Sequence, residues 1–238
     1  MISIIIPTLN EEKLIANTLK QFSQSIKLYD FELIVSDNGS SDSTISIAEQ
    51  YLCKIVRSDI NIKNISLTRN IGFKNCNGDI LVFLDADISI KNPNIFIDRI
   101  IKEFSDKRLV GCSPKIYINP NQEKIIDKIV NRTHSIISIL LNKFGIGYAR
   151  GGCQIVRRSS FEKLGGYNEK FIAGEDVELF KRLGTIGNTK ILSDFTVYES
   201  PRRYRKKGYF NVLFVWFINY TYALLFNKSY SKKWEDIR

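Results

Sequence analysis

Gly78-Asp79-Ile80-Leu81-Val82-Phe83-Leu84-Asp85-Ala86-Asp87 holds five consecutive apolar residues that stop abruptly at two carboxylates. A parallel strand covered on both faces reads as such an unbroken apolar run. Ligands of open α/β sheets collect beyond the carboxyl ends of these strands. In extended backbone, residues two apart point the same way, so Asp85 and Asp87 are expected to face one point. Hard oxygen donors at a strand end suit Mg²⁺ or Mn²⁺, and Mg²⁺ completes its shell with water and substrate phosphate. The stretch therefore reads as a metal–diphosphate site. The plainer alternative is that Asp-Ala-Asp caps the next helix.

Working outward, 238 residues are enough to bury a sizeable core, and 44% apolar with 25% charged residues is ordinary for a globular chain. Four cysteines (Cys53, Cys76, Cys112, Cys153) form no C-x-x-C pair and His134 is the only histidine. That argues against an ordinary zinc site, and it leaves His134 as the only imidazole for a nucleophilic triad. The expectation is reduced thiols in a reducing compartment. The net charge is +10, and nine Lys/Arg against two Asp/Glu in 201–238 account for +7 of it. A basic tail points to an anionic membrane surface rather than to nucleic acid, for which no recognition motif is present. The first residues carry no basic n-region or cleavage signal and read as a strand.

In chain order, 2–6 is strand-like and stops at Pro7; Asn10 with Glu11-Glu12 is expected to open a helix reaching about Phe22. A second strand, 31–35, ends in Ser36-Asp37-Asn38-Gly39. Asp37 there could accept from a ribose hydroxyl or a base, or simply bond its own turn. A short strand at 54–56, a helix at 66–76 holding Arg69, the central strand, a helix at 93–104 and a strand at 109–113 follow. This alternation predicts an α/β fold with a mostly parallel, doubly wound sheet and helices on both faces. Residues 123–144 carry a helical apolar stripe, read either as packing on the sheet or as a membrane contact. Arg150-Gly151-Gly152 is a corner at which missing side chains let a ligand come close. Gly174-Glu175-Asp176 starts a helix, where Asp176 either favours the dipole or serves as a general base. Of residues 208–227, 15 are apolar or aromatic, with basic clusters at both ends including Lys232 and Lys233. A helix lying at the membrane surface, or packed on a partner, fits that pattern better than a span.

Taken together, these stretches resemble family 2 glycosyltransferases of the GT-A fold. The parts, in the family's order, are Ile-Ile-Ile-Pro-Thr-Leu-Asn-Glu-Glu at 4–12, Val-Ser-Asp-Asn-Gly-Ser-Ser-Asp at 35–42 and Arg-Asn-Ile-Gly at 69–72. Gly78-Asp79 leading to Asp85-Ala86-Asp87, Gly151-Gly152, and Gly-Glu-Asp-Val-Glu-Leu at 174–179 complete the set. The resemblance implies that Thr8, Asn10, Glu11, Asp37 and Arg69 line a nucleotide pocket. Pro7, Gly151, Gly152 and Glu175 complete the donor set. It also implies that Asp85 touches ribose or metal, that Asp87 ligates the metal, and that Asp176 is the base of an inverting transfer. Arg202 and Arg203 are candidates for a diphosphate or lipid phosphate, or for membrane adhesion.

Two departures stand out. Family members often supply a downstream His to the metal, and here none follows His134, which leaves Glu199, Ser200 or water as third ligand. Ser89 stands where the partly similar polyprenyl-phosphate mannose synthases tend to have Gln. The expected organisation is a catalytic domain over 1–205, with a nucleotide half (1–90) and an acceptor half (91–205), then a basic aromatic helix and tail over 206–238. The expected function is Mg²⁺- or Mn²⁺-dependent sugar transfer from a UDP- or GDP-sugar to a lipid-linked or glycan acceptor. The expected location is cytoplasmic, on the inner face of the cell membrane. The rival readings are an idle nucleotide-sugar-binding scaffold and a nucleotidyltransferase.

Overall fold

A computed structural model describes residues 1–23, 25, 28–58, 63–226 and 228–231; the basic tail expected beyond these, with Lys232 and Lys233, lies outside the described residues. The first half runs β1 (Ile2–Thr8), α1 (Ile15–Lys20), β2 (Phe31–Asp37), α2 (Thr44–Ala48), β3 (Lys54–Arg57), α3 (Ile65–Lys74) and β4 (Ile80–Leu84). Then come α4 (Pro93–Phe104), β5 (Leu109–Ile118), α5 (Ile125–Lys143), β6 (Cys153–Arg157) and α6 (Arg158–Lys163). The chain closes with α7 (Glu175–Gly184), β7 (Asn188–Glu199), α8 (Arg202–Lys207) and α9 (Tyr209–Phe226).

Among the described residues the strands form one seven-stranded sheet in the order β3-β2-β1-β4-β6-β5-β7. Only β6 is reversed: it pairs antiparallel with β4 and with β5, and every other pairing is parallel. The two-faced burial inferred for 80–84 is present. Val82 and Leu84 pack into one apolar cluster with Ile4, Ile6 and Phe96, whereas Leu81 and Phe83 pack into the other with Ile5, Phe161 and Phe180. Each such side chain contributes about 1.5–3 kcal/mol by leaving water. Asn92 caps α4 by accepting from the Ile95 N–H at 3.2 Å, and Pro93 takes the first turn, where its missing donor is harmless.

Three local expectations are revised. The helix expected from Asn10 begins only at Ile15, because Asn10 adopts φ 53° and spends its side chain on the Ser41 N–H at 2.7 Å. Asp87 does not continue the strand but sits in a turn that follows Asp85. The Ile88 N–H donates to the Asp85 carbonyl at 3.1 Å, closing a turn after β4. The stripe of α5 does not pack on the sheet: its buried residues are Asp127, Asn131, Ser135 and Ser138, and its isoleucines face outward. No helix among the described residues is long and apolar enough to cross a membrane. All four cysteines are free, three of them buried.

Candidate active site

The six like-directed strands deliver their carboxyl ends to one edge of the sheet, and the reversed β6 delivers its beginning there. The register sets Leu84 against Cys153, and the Asp85 N–H donates to the Gly152 carbonyl at 3.0 Å. Gly151-Gly152 is thereby laid directly beside the end of β4. A cavity of about 620 Å³ opens at this edge. Its walls include Pro7, Thr8, Glu11, Arg69, Asp85, Asp87, Gly151, Gly152, Glu175, Asp176, Arg202 and Arg203. Side chains expected from the sequence to share a site thus do meet, although they come from six separate segments.

Two expected residues, Asp37 and Asn10, are not among those that line this cavity. Asp37 is buried at the end of β2 and accepts from the Gly39 and Ser40 N–H groups at 3.1 and 2.9 Å, and from the Thr8 hydroxyl at 3.1 Å. Its oxygens fasten the turn, and the neighbouring Asn38 lines the cavity instead. Asn10 likewise braces the loop at Ser40 and Ser41 rather than facing the cavity.

Arg69 is the centre of the site and is only 1% exposed. Gly72, one helical turn on in α3, permits this depth: a Cβ there would stand 2.4 Å from Ile5 Cγ2, so only glycine lets the helix settle against β1. The guanidinium donates to Asp85 Oδ1 at 2.9 Å and to Glu175 Oε1 at 2.8 Å, and lies 5.1 Å from the Tyr167 ring centroid. It thus ties the end of β4 to the start of α7. Gly174, at φ 82°, turns the chain into α7 and presents Glu175 and Asp176 side by side. A Cβ on Gly151 would lie 3.4 Å from Asp176 Oδ2 and 3.5 Å from Arg69 Nη2, so Asp176 and the Arg69–Asp85 pair flank a single side-chain-free residue.

The charges here are crowded. Burial pushes the Asp87 carboxyl up to about 7; Arg202 opposes that shift, while the charges of Asp85, Glu199 and Glu11 add to it. Burial and the charge of Asp176 push Glu175 up to about 7, against the pull of Arg69. Asp176 is raised as well, chiefly by burial, although it accepts from the Val177 N–H at 2.8 Å.

An excess of carboxylate around Asp85 and Asp87 is the setting in which a divalent cation relieves repulsion. Among the described residues no three His, Cys, Asp or Glu side chains form a ready cage. Two carboxylates fit a Mg²⁺-type ion that takes its remaining ligands from water and phosphate.

Several wall residues escaped sequence reasoning. Arg150 donates to Glu199 Oε1 at 2.5 Å and stacks 5.1 Å from the Trp216 ring, and Tyr148 meets His134 Nε2 at 2.7 Å and the Tyr220 ring at 5.5 Å. The signal was present in Arg150, which adjoins the glycine corner, but its partners lie 49 and 66 positions away along the chain.

Comparison with known proteins agrees with this architecture. PcManGT from Pyrobaculum calidifontis, a mannosyltransferase solved with GDP-Man and Mn²⁺, superposes with a TM-score of 0.73 at 18% identity, over 97% of this chain and 65% of that one. RfbN of Salmonella typhimurium, an O-antigen chain rhamnosyltransferase, is 26% identical over 90% of this chain and 74% of its own length. TarS of Staphylococcus aureus, a poly(ribitol-phosphate) β-N-acetylglucosaminyltransferase, is 31% identical over 84% of this chain. The chain spans only 35% of TarS. The family model described as Glycosyl transferase family 2 matches residues 3–165. The chain belongs to glycosyl transferase family 2.

Proposed function

We propose that the protein is a metal-dependent, inverting glycosyltransferase that moves a sugar from a UDP- or GDP-sugar to a hydroxyl of a lipid-linked or glycan acceptor. The observation that carries this reading is the opening of Asp85, Asp87 and Asp176 onto one cavity, with Gly151 beside Asp176 and beside the Arg69 that holds Asp85. The nucleotide-bound forms of PcManGT and TarS support a nucleoside diphosphate donor, and the Mn²⁺ of PcManGT supports a divalent ion.

In this reading Pro7, Thr8, Glu11 and Arg69 form the nucleotide side, and Arg202 and Arg203 meet the diphosphate. Asp85 and Asp87 would hold Mg²⁺ or Mn²⁺, which when bound offsets the charge of the departing diphosphate. Asp176 accepts the proton of the acceptor hydroxyl. The freed oxygen bonds to the anomeric carbon on the face opposite the diphosphate, whose C–O bond breaks, so the configuration inverts. A positioned base of this kind contributes about 10²–10⁴-fold. Residues 1–90 serve the donor, 91–205 the acceptor apart from Arg202 and Arg203, and the α8–α9 segment keeps the site beside an anionic membrane, on its cytoplasmic face.

The test is a panel of nucleoside diphosphate sugars with Mn²⁺, scored by thermal shift and by nucleotide release. One donor is expected both to stabilise the fold and to release its nucleotide when an acceptor is added. A panel without any stabilising donor overturns the assignment.

A further inference from the structure

Helix α5 is inverted. Its inward side carries Asp127, Asn131, Ser135 and Ser138, while Ile125, Ile129, Ile136, Ile137, Leu140 and Phe144 are exposed, Ile125 by 79% and Phe144 by 77%. A surface helix normally turns its apolar stripe to the core, and large apolar side chains grouped outward on one helix mark an interaction face. Two of the inward polar side chains are held by distant segments: Arg205 donates to Asp127 Oδ2 at 2.5 Å, the Tyr209 hydroxyl donates to Asp127 Oδ1 at 2.6 Å, and Arg150 donates to Asn131 Oδ1 at 3.3 Å, while Ser138 bonds back to the His134 carbonyl at 2.7 Å. The inversion is thus held in place by hydrogen bonds.

These bonds also fix α5 beside the start of α9, and Tyr148 joins them again by contacting both His134 and Tyr220. Helix α9 has a second outward apolar face that includes Phe210, Phe214, Phe217 and Leu225, with no charged residue in its 18. The charged residues exposed on α5 are all basic: Lys128, Arg132 and Lys143. Arg205, Lys206 and Lys207 are exposed just before α9, and Lys228 just after it.

We infer that α5 and α9 together form a two-helix platform that lies in the surface of an anionic lipid bilayer, with the isoleucines of α5 seated among the acyl chains. The charge pattern selects this occupant. A second copy would set one basic rim against another, whereas an anionic headgroup layer complements the rim and the interior beneath it accepts the apolar stripe. The proposal rests on the membrane placement of α8–α9 in the proposed function and extends it to α5; vesicle binding and sugar transfer are measured separately, so the failure of one is distinguishable from the failure of the other.

The experiment is flotation of the full chain with phosphatidylcholine vesicles with and without phosphatidylglycerol. The parent is expected to float with the anionic vesicles and to be released by high salt. Ile129→Asp with Ile136→Asp, both at exposed positions, is expected to partition at least about tenfold more weakly with α9 untouched. Should that double variant fold poorly, Ile136→Cys labelled with a polarity-sensitive fluorophore gives the same answer through a blue shift on adding anionic vesicles. Failure of the parent to float, wild-type flotation by the double variant, or an unshifted fluorophore each overturns the proposal. So does a parent dimer without vesicles that the double variant abolishes, since the stripe would then be covered by a second copy.

Discussion

Arg202 Nη2 lies 3.3 Å from Asp87 Oδ2, while the same guanidinium grips both oxygens of Glu11 at 2.8 and 2.9 Å. An internal cation therefore stands beside a carboxylate proposed to hold a metal ion, and the two cations compete for it. Arg202→Gln is expected to bind Mn²⁺ more tightly in the nucleotide-free protein, by about tenfold, since a charge-assisted contact is worth roughly 1.5–3 kcal/mol. Calorimetric titration with MnCl₂ checks this, and an unchanged affinity would show that Arg202 does not compete.

Asp176→Asn should leave donor-induced thermal stabilisation intact and lower turnover by about 10²-fold or more. The native base works only when ionised. Because burial raises its carboxyl above the ordinary aspartate range, turnover should rise with pH through a limb displaced upward from that range. A pH–kcat profile of both proteins tests the assignment, since the residual activity of the variant should lack that limb.

Arg69→Met removes the shared partner of Asp85 and Glu175 and leaves the buried Glu175 carboxylate without its cation. Loss of one side of a buried ion pair typically destabilises by about 3–5 kcal/mol, to be read from the urea midpoint at neutral pH. Arg69→Lys should recover only part of this, because one ammonium cannot reproduce a fork that reaches two acids at once.

His134, which lines the cavity and contacts Tyr148, offers a stability probe at a group the proposed transfer does not use. Burial, with Arg150 adding to it, holds its imidazole down at about 3, against 6.5 for the free group. Above about 6.5 both folded and unfolded chains carry it neutral, and its contribution is complete. As the pH falls from there toward 3, only the unfolded chain takes up the proton, so stability drops by up to about 1.4 kcal/mol per pH unit. Urea unfolding at pH 7 and pH 5 should show a smaller difference for His134→Gln than for the parent.

The sheet and most of the site could be read from the chain because strand ends are written locally: an apolar run followed by Asp85-Ala86-Asp87 marks its own position and its own edge. Asp37 is marked equally clearly by its strand end, but the sequence does not show that its Oδ2 accepts from the Gly39 and Ser40 N–H groups of its own turn and its Oδ1 from the Thr8 hydroxyl. Periodicity in α5 gave a helix and a stripe but not the direction of the stripe. That direction depends on whether Asp127 and Asn131 find partners inside, and the partners, Arg205, Tyr209 and Arg150, lie far off in sequence. The aromatic wall around Tyr148 and Trp216 was illegible for the same reason.

The backward course of β6 lays peptide groups, not side chains, against Asp85 at the wall of the cavity. A like-directed strand in that slot would have brought its far end and a bulky loop to Asp85, whereas the reversed one arrives with two residues that have nothing beyond Cα. The excursion that precedes it, with β5 and α5, leaves from this edge and returns to it. In the proposed transfer, that excursion is the part free to change with the acceptor, while β1, α3 and β4 keep their places on the donor side.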